Sequence, residues 1–375
     1  MKFRSYIILI LTFLIVLSGV TVTINYAVDP FLIFGSKRVA GFNAIKAAIN
    51  SHTWLMKTYH PTLGEWDTLL LGNSRVEIGF DPQHRCLAEI GAKAYNLGVP
   101  GANVSEQVEF AANVLYDQPI KQIFLSVDFG DFISKVVSAQ SAIDADAGAG
   151  TNLRYRLDGS EAPGYSWNAV KDRYQALYTF DAMLSSAHTM AMQTNSSPNR
   201  DPFGFNPARD FADSVDAEGA QALFAQKIDN LDSKFSAPWR LIDPNNSSSS
   251  EFSALESFLE IARDRGIRVT VIASPFHAEY WAILKEHRLY QEHAHWLKLL
   301  TEQLTEFDDI VTFWDFTADS EFSQETVPDE EVRSGPLNWY WEPVHFRSQL
   351  GDLILETVLS DRCKQAEVHF GTRVL

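Results

Sequence analysis

The chain has 375 residues, of which 46% are hydrophobic, enough for a large buried core. Its 31 basic and 48 acidic side chains give a formal charge of −17. No stretch concentrates lysine and arginine, which excludes the cationic surface that a nucleic-acid partner requires.

Lys2 and Arg4 precede an uncharged apolar run from Tyr6 to Ile24, "YIILILTFLIVLSGVTVTI". About twenty such residues span the hydrocarbon core of a bilayer as a helix. A cleaved signal peptide begins in a similar way. The run is longer than the usual apolar region of such a peptide, and "INYAVDP" puts Asn25 where a cleavage site needs a small residue. We therefore read residues 1–27 as an uncleaved transmembrane anchor, with its basic end inside and the rest of the chain outside. Residues 28–65 are expected to be a juxtamembrane linker and 66–375 the folded domain. An external location permits a disulfide between Cys86 and Cys363, and separate burial of the two thiols is the other reading.

From Trp66 onward short apolar segments alternate with helical patterns. Strands are expected at Asp67–Gly72, Lys93–Gly98, Lys121–Asp128, Ile267–Ser274 and Asp309–Phe316, each reading as a strand buried on both faces. Helices are expected at Ser105–Asp117, Glu251–Gly266, Trp281–Phe307 and Arg347–Asp361, with Ser105 and Ser250 near helix starts. The alternation predicts an α/β fold with a doubly wound parallel sheet, a flavodoxin-like three-layer sandwich. Between about 133 and 250 the rhythm fails in segments rich in Gly, Ser, Asp and Asn, read as a long insertion with some helix near "KDRYQALYTFDAMLSSAHTMAM".

Open parallel sheets bind ligands at the carboxyl ends of their strands. Several polar residues are expected there: Ser74 after the first strand, Asn96, Gly98 and Gly101 around "YNLGVPGAN", Asp128 after the third strand, and His277 in "SPFHAEYW". Near the C-terminus "NWYWEPVHF" supplies Glu342 and His345, three residues apart. A serine hydroxyl becomes a useful nucleophile when a histidine removes its proton and a carboxylate fixes that histidine's tautomer. The backbone N–H groups of Ser74 and Gly101 are candidate donors to the oxyanion of a tetrahedral intermediate.

"LLLGNSRV", "YNLGVPGAN" and "WEPVHF" together resemble blocks of the SGNH (GDSL-like) hydrolase superfamily. More narrowly, the chain is similar to membrane-anchored bacterial SGNH-like proteins of unassigned role, whose anchor leads into a segment like Val28-Asp29-Pro30-Phe31. The resemblance covers roughly 66–128 and 267–360. It implies Ser74 as nucleophile, Gly101 as the oxyanion glycine, and Glu342 and His345 as the carboxylate–base pair. It further implies a serine esterase or O-acyltransferase acting on acyl esters of extracellular carbohydrate, without metal or organic cofactor. The implied setting is the bacterial cytoplasmic membrane, with the main domain outside. A transferase would draw on a membrane-embedded acyl-donor protein.

Two departures accompany the likeness. Glutamate replaces the usual aspartate at 342, and "SVDFGDF" carries Asp128 and Gly130 where an oxyanion asparagine is expected. Loss of one such donor costs about 10²–10³ in rate; Asn73 or Asn103 could replace it. Arg75 is expected to pair with a carboxylate or contact an anionic substrate. Asp128 is expected to orient a loop, and His277 to contact substrate or pack locally. Trp341 and its aromatic neighbours belong either to a glycan cleft or to the core. His287, His293 and His295 read as a solvated helix face rather than a metal site. The competing functional reading is a non-catalytic glycan-binding or envelope-assembly protein on the same frame.

Overall fold

The computed structural model describes residues 2–135, 152–194, 200–241, 249–328, 335–363 and 370–375. Parts of the expected insertion, 136–151, 195–199 and 242–248, lie outside these residues. Helix α1 (Lys2–Val28) is followed by short helical turns and α2 (Thr53–Tyr59). The sheet then begins with β1 (Thr68–Gly72), α3 (Ser74–Gly79), α4 (Arg85–Glu89), β2 (Ala94–Gly98), α5 (Val104–Leu115) and β3 (Gln122–Val127). Next come α6 (Phe129–Phe132), β4 (Ser134–Lys135), α7 (Tyr165–Tyr178), α8 (Phe180–Ala191), α9 (Arg209–Glu218), α10 (Ala220–Phe235) and β5 (Trp239–Arg240). The chain closes with α11 (Ser250–Asp264), β6 (Arg268–Ala273), α12 (Ala278–Glu286), α13 (Tyr290–Thr305), β7 (Val311–Asp315), α14 (Ser348–Val358) and β8 (Thr372–Arg373).

The main sheet has the order β2-β1-β3-β6-β7-β8, parallel except for the short edge strand β8, which runs against β7. Thus the sheet is mixed rather than wholly parallel. Successive residues of a strand point to opposite faces, and the apolar residues divide accordingly. Leu69, Leu71, Ile123 and Leu125 belong to the core under α5 and α11; Leu70, Phe124 and Ile272 belong to the core under α3 and α14. Burial on both faces explains why these strands are continuous apolar runs.

Strand β4 pairs antiparallel with β5, Ser134 opposite Arg240, so the two ends of the insertion are tied together at its base. The helix expected over 281–307 is two helices, α12 and α13, separated at Arg288, whose φ of 60° no α-helix accommodates. Helix α5 starts at Val104 rather than Ser105, because Asn103 and Glu106 form a reciprocal capping box. His293 is not on a solvated face. It is buried among Phe129, Trp281 and Trp296, and burial pushes its pKa down to about 4.

Residues 28–65 are packed rather than extended. Asp29 accepts backbone N–H bonds from Ile33, Phe34 and Ser36, and Lys46 donates to the Val28 carbonyl at 2.6 Å. Phe31, Ile33 and Tyr59 join a cluster with Ala169 and Ala176 of α7. Cys86 and Cys363 form a disulfide that ties α4 to the segment following α14. Among the described residues one helix, α1, is long and apolar enough to cross a membrane, with a mean hydropathy of 2.8 over its apolar window.

Candidate functional site

Strand β1 ends at Gly72 because the next turn leaves no room for a side chain: a Cβ there would lie 2.4 Å from Val76 Cγ2. Asn73 then caps α3, its Oδ1 accepting the Arg75 N–H at 3.0 Å, which places Ser74 on the first helical residue. Helix α3 is pressed onto the end of β2. A Cβ on Gly98 would fall 2.3 Å from the Glu77 nitrogen, and the Asn96 amide donates to the Val76 and Phe80 carbonyls. The asparagine and glycine of "YNLG" therefore hold the helix that carries Ser74.

Ser74 Oγ lies 2.8 Å from His345 Nε2, and the other ring nitrogen of His345 is hydrogen-bonded to Glu342 Oε1. An ionised carboxylate only accepts, so Nδ1 carries the proton and Nε2 is left to accept from the serine hydroxyl. Glu342 also accepts the N–H groups of Val344 and His345 at 3.1 and 2.9 Å, and Lys227 Nζ stands 3.9 Å from it. Burial opposes ionisation of Glu342. The charge and hydrogen bond of His345, then Lys227, outweigh it and hold the carboxyl below its ordinary range.

Gly101 has φ +77° with open space where a Cβ would stand. It shares with Ser74 and His345 a cavity of about 320 Å³ that also meets Asp131, Lys227 and Lys234. A second cavity, about 640 Å³, meets the first at Ser74 and His345 and is lined on its far side by Asn50, Trp54, Arg200 and Phe211. The N–H groups of Ser74 and Gly101 have no hydrogen-bond partner among the described residues.

The remaining candidates hold structure. Arg75 is 1% exposed; its guanidinium pairs with Asp128, donates to the Pro275 carbonyl and sits 3.9 Å from the centroid of Phe276. Asp128 also accepts from Asn73 Nδ2 at 2.7 Å. Arg75, Asp128 and Asn73 also line the smaller cavity beside Ser74. Asn73 divides its amide N–H groups between Asp128 and Asp131; Asn103 caps α5 through its Oδ1 and lines neither cavity. His277 caps α12, and its Nε2 lies 2.7 Å from the Glu325 carbonyl. Trp341 is buried against Phe211 and the Arg347 guanidinium.

Several lining residues escape a reading of the sequence. Lys227, Asn230, Leu231 and Lys234 come from α10, inside the insertion. Their spacing of i, i+3, i+4 and i+7 marks one helix face, the signal that could have found them. Asp131 is held well above the ordinary carboxylate range by burial and then by the charge of Asp128. Arg200 and Glu77 form a buried ion pair, Nε to Oε1 at 2.7 Å, which fastens the insertion to α3.

Comparison with known protein families finds no match, and comparison with curated proteins finds no relative.

Proposed function

We propose that the protein is a membrane-anchored serine esterase or O-acyltransferase of SGNH type, built on a doubly wound, flavodoxin-like frame. The observation that carries this reading is the hydrogen-bonded chain from Ser74 through His345 to Glu342. The strand order also favours it. Residues after β1 and β3 meet at the point where the order reverses, where such sheets place their ligands.

In the proposed reaction Ser74 Oγ attacks the acyl carbonyl carbon while its proton passes to His345 Nε2. Glu342 holds the Nδ1–H and balances the imidazolium. The N–H groups of Ser74 and Gly101 receive the oxyanion. As the tetrahedral intermediate collapses, the bond to the leaving alcohol breaks and His345 returns its proton to that alcohol's oxygen. Water or a sugar hydroxyl then attacks the acyl-serine, with His345 again taking the proton; the bond from the acyl carbon to Ser74 Oγ breaks, and His345 returns the proton to that oxygen. Two cavities meeting at one hydroxyl suit a reaction with both an acyl group and an alcohol to house. No step calls on a metal or organic cofactor.

The carbohydrate ester follows from the resemblance, and the aromatic residues Trp54 and Phe211 beside the larger cavity suit a sugar face. The apolar α1 supports an anchor that holds the domain outside the bacterial cytoplasmic membrane, where an acyl-donor protein would act as partner. One observation favours the alternative of a non-catalytic glycan-binding protein: the Asn73 amide, a candidate oxyanion donor, is committed to Asp128 and Asp131, and Asn103 lines neither cavity. Incubation of the full chain with an acetylated oligosaccharide separates the two. Acetate release, or acetyl transfer to an acceptor sugar, that disappears in Ser74→Ala supports the enzyme. Saturable binding without turnover, unchanged in Ser74→Ala, supports the alternative.

A further inference from the structure

Helices α7 and α8 form a hairpin whose polarity is inverted relative to a soluble surface. On the side facing the domain lie Ala169, Asp172, Ala176, Ala182, Ser185 and Thr189, all buried. On the outer side lie Trp167, Val170, Tyr174 and Tyr178 of α7, then Phe180 and Leu184 of α8, all exposed. Trp167 is 73% exposed and Phe180 76%. The spacing 167, 170, 174, 178 follows one helix face, so the large side chains form a stripe rather than scattered exceptions. Contiguous exposed apolar surface of this kind marks an interaction site more often than a chance exposure.

The hairpin is continuous with α1. Both of its helices pack against that helix, and Asn25 Nδ2 of α1 donates to the Leu177 carbonyl at 2.8 Å. On the inner side of the hairpin Asp172 accepts from Tyr59 Oη and Asn152 Nδ2, each at 2.7 Å. The hairpin's outer face carries Trp167, Tyr174 and Tyr178, and Trp and Tyr are the residues that settle where acyl chains meet headgroups.

We infer that the outer face of the α7–α8 hairpin is a lipid-binding surface, lying in the interfacial layer of the same bilayer that α1 crosses. The domain is then seated on the membrane instead of hanging from a tether. The larger cavity is lined by residues of the 50–55 segment, and His52 of that segment is paired with Asp181 of α8 at 3.2 Å, so this seating keeps the cavity near the bilayer. The inference rests on α1 being retained as an anchor and is independent of the chemistry at Ser74.

Tryptophan fluorescence of the full chain, reconstituted into phosphatidylglycerol–phosphatidylethanolamine vesicles with brominated acyl chains, tests it. Helix α1 contains no tryptophan, and Trp167 is the one exposed tryptophan of the nine. The expected result is quenching by the brominated lipid that is largely lost in Trp167→Phe, while circular dichroism and the Cys86–Cys363 disulfide are unchanged. Quenching absent from the wild type, or equal in the wild type and the variant, overturns the inference. Flotation of the protein with the vesicles reads the anchor separately, so failure of α1 and failure of the hairpin are distinguishable. A dimer in the vesicles that dissociates in Phe180→Asp, with Trp167 unquenched, assigns the face to a second copy and also overturns the inference.

Discussion

Ser74 Oγ and His345 Nε2 stand 2.8 Å apart across 271 positions of sequence. Close glycine contacts hold α3, which begins at Ser74, against α14, which follows the His345 loop. A Cβ on Gly351 of α14 would come 1.8 Å from the Gly79 carbonyl oxygen of α3, and one on Gly79 would strike the Phe346 ring at 2.1 Å. Overpacking of this kind costs about 1–3 kcal/mol, and more where main chain must move. Gly351→Ala is expected to lower stability by at least about 2 kcal/mol in urea melts. It should also slow acylation of Ser74, because α14 directly follows the His345 loop.

Glu342→Gln keeps the size of the side chain and removes the charge that opposes the imidazolium. The amide can also present an N–H to Nδ1 and favour the wrong tautomer. A fall of about 10²–10⁴ in the rate of ester turnover is expected, with substrate binding little changed. Comparing kcat and KM for the two proteins checks this.

Arg75 is held by Asp128 and the Pro275 carbonyl between the rings of Phe276 and Phe346. Arg75→Met leaves the Asp128 carboxylate buried without its counter-charge, a loss of about 3–5 kcal/mol. A shifted urea midpoint is the expected signature. A variant of normal stability with only a raised KM contradicts the structural role.

Reduction of Cys86–Cys363 frees a link between residues 277 apart in sequence. A loss of about 2–5 kcal/mol is expected, read as the difference in urea midpoint with and without reductant.

Asp352 on α14 is pushed up to about 6 by burial and then by the charges of Asp81 and Glu356. The folded chain therefore keeps this proton to higher pH than the unfolded chain, whose aspartates titrate at about 3.9. Stability accordingly falls as pH rises through that interval, and the deficit is complete above it. Asp352→Asn removes the deficit. Because the side chain is 41% exposed, solvent screening limits the gain to about 1 kcal/mol. Melts should show it at about pH 8 and not at about pH 4.

The strands were legible because each is buried on both faces, which writes a continuous apolar run into five or six residues. Ser74, Gly101, Glu342 and His345 were legible because each sits in a short local pattern. The structure brings Ser74, Gly101 and His345 to one cavity, with Glu342 bonded to His345. What was hidden depends on pairing across long separations. Arg200 finds Glu77 from 123 positions away, out of a turn-dense segment with no period of its own. Residues 28–65 read as a linker because Asp29 and Lys46 bury their charges through backbone contacts that composition does not record. Arg75 and Asp128 were visible as charged residues at the sheet edge, but their mutual pairing, 53 positions apart, was not.

The most direct test of the account is covalent labelling of the detergent-solubilised full chain with a fluorophosphonate, read by intact mass and peptide mapping, beside Ser74→Ala and His345→Ala. The account predicts a single adduct on Ser74, absent from Ser74→Ala and slowed by about 10³-fold or more in His345→Ala. Folded protein that takes up no probe, or carries it on another serine, contradicts an activated nucleophile at Ser74.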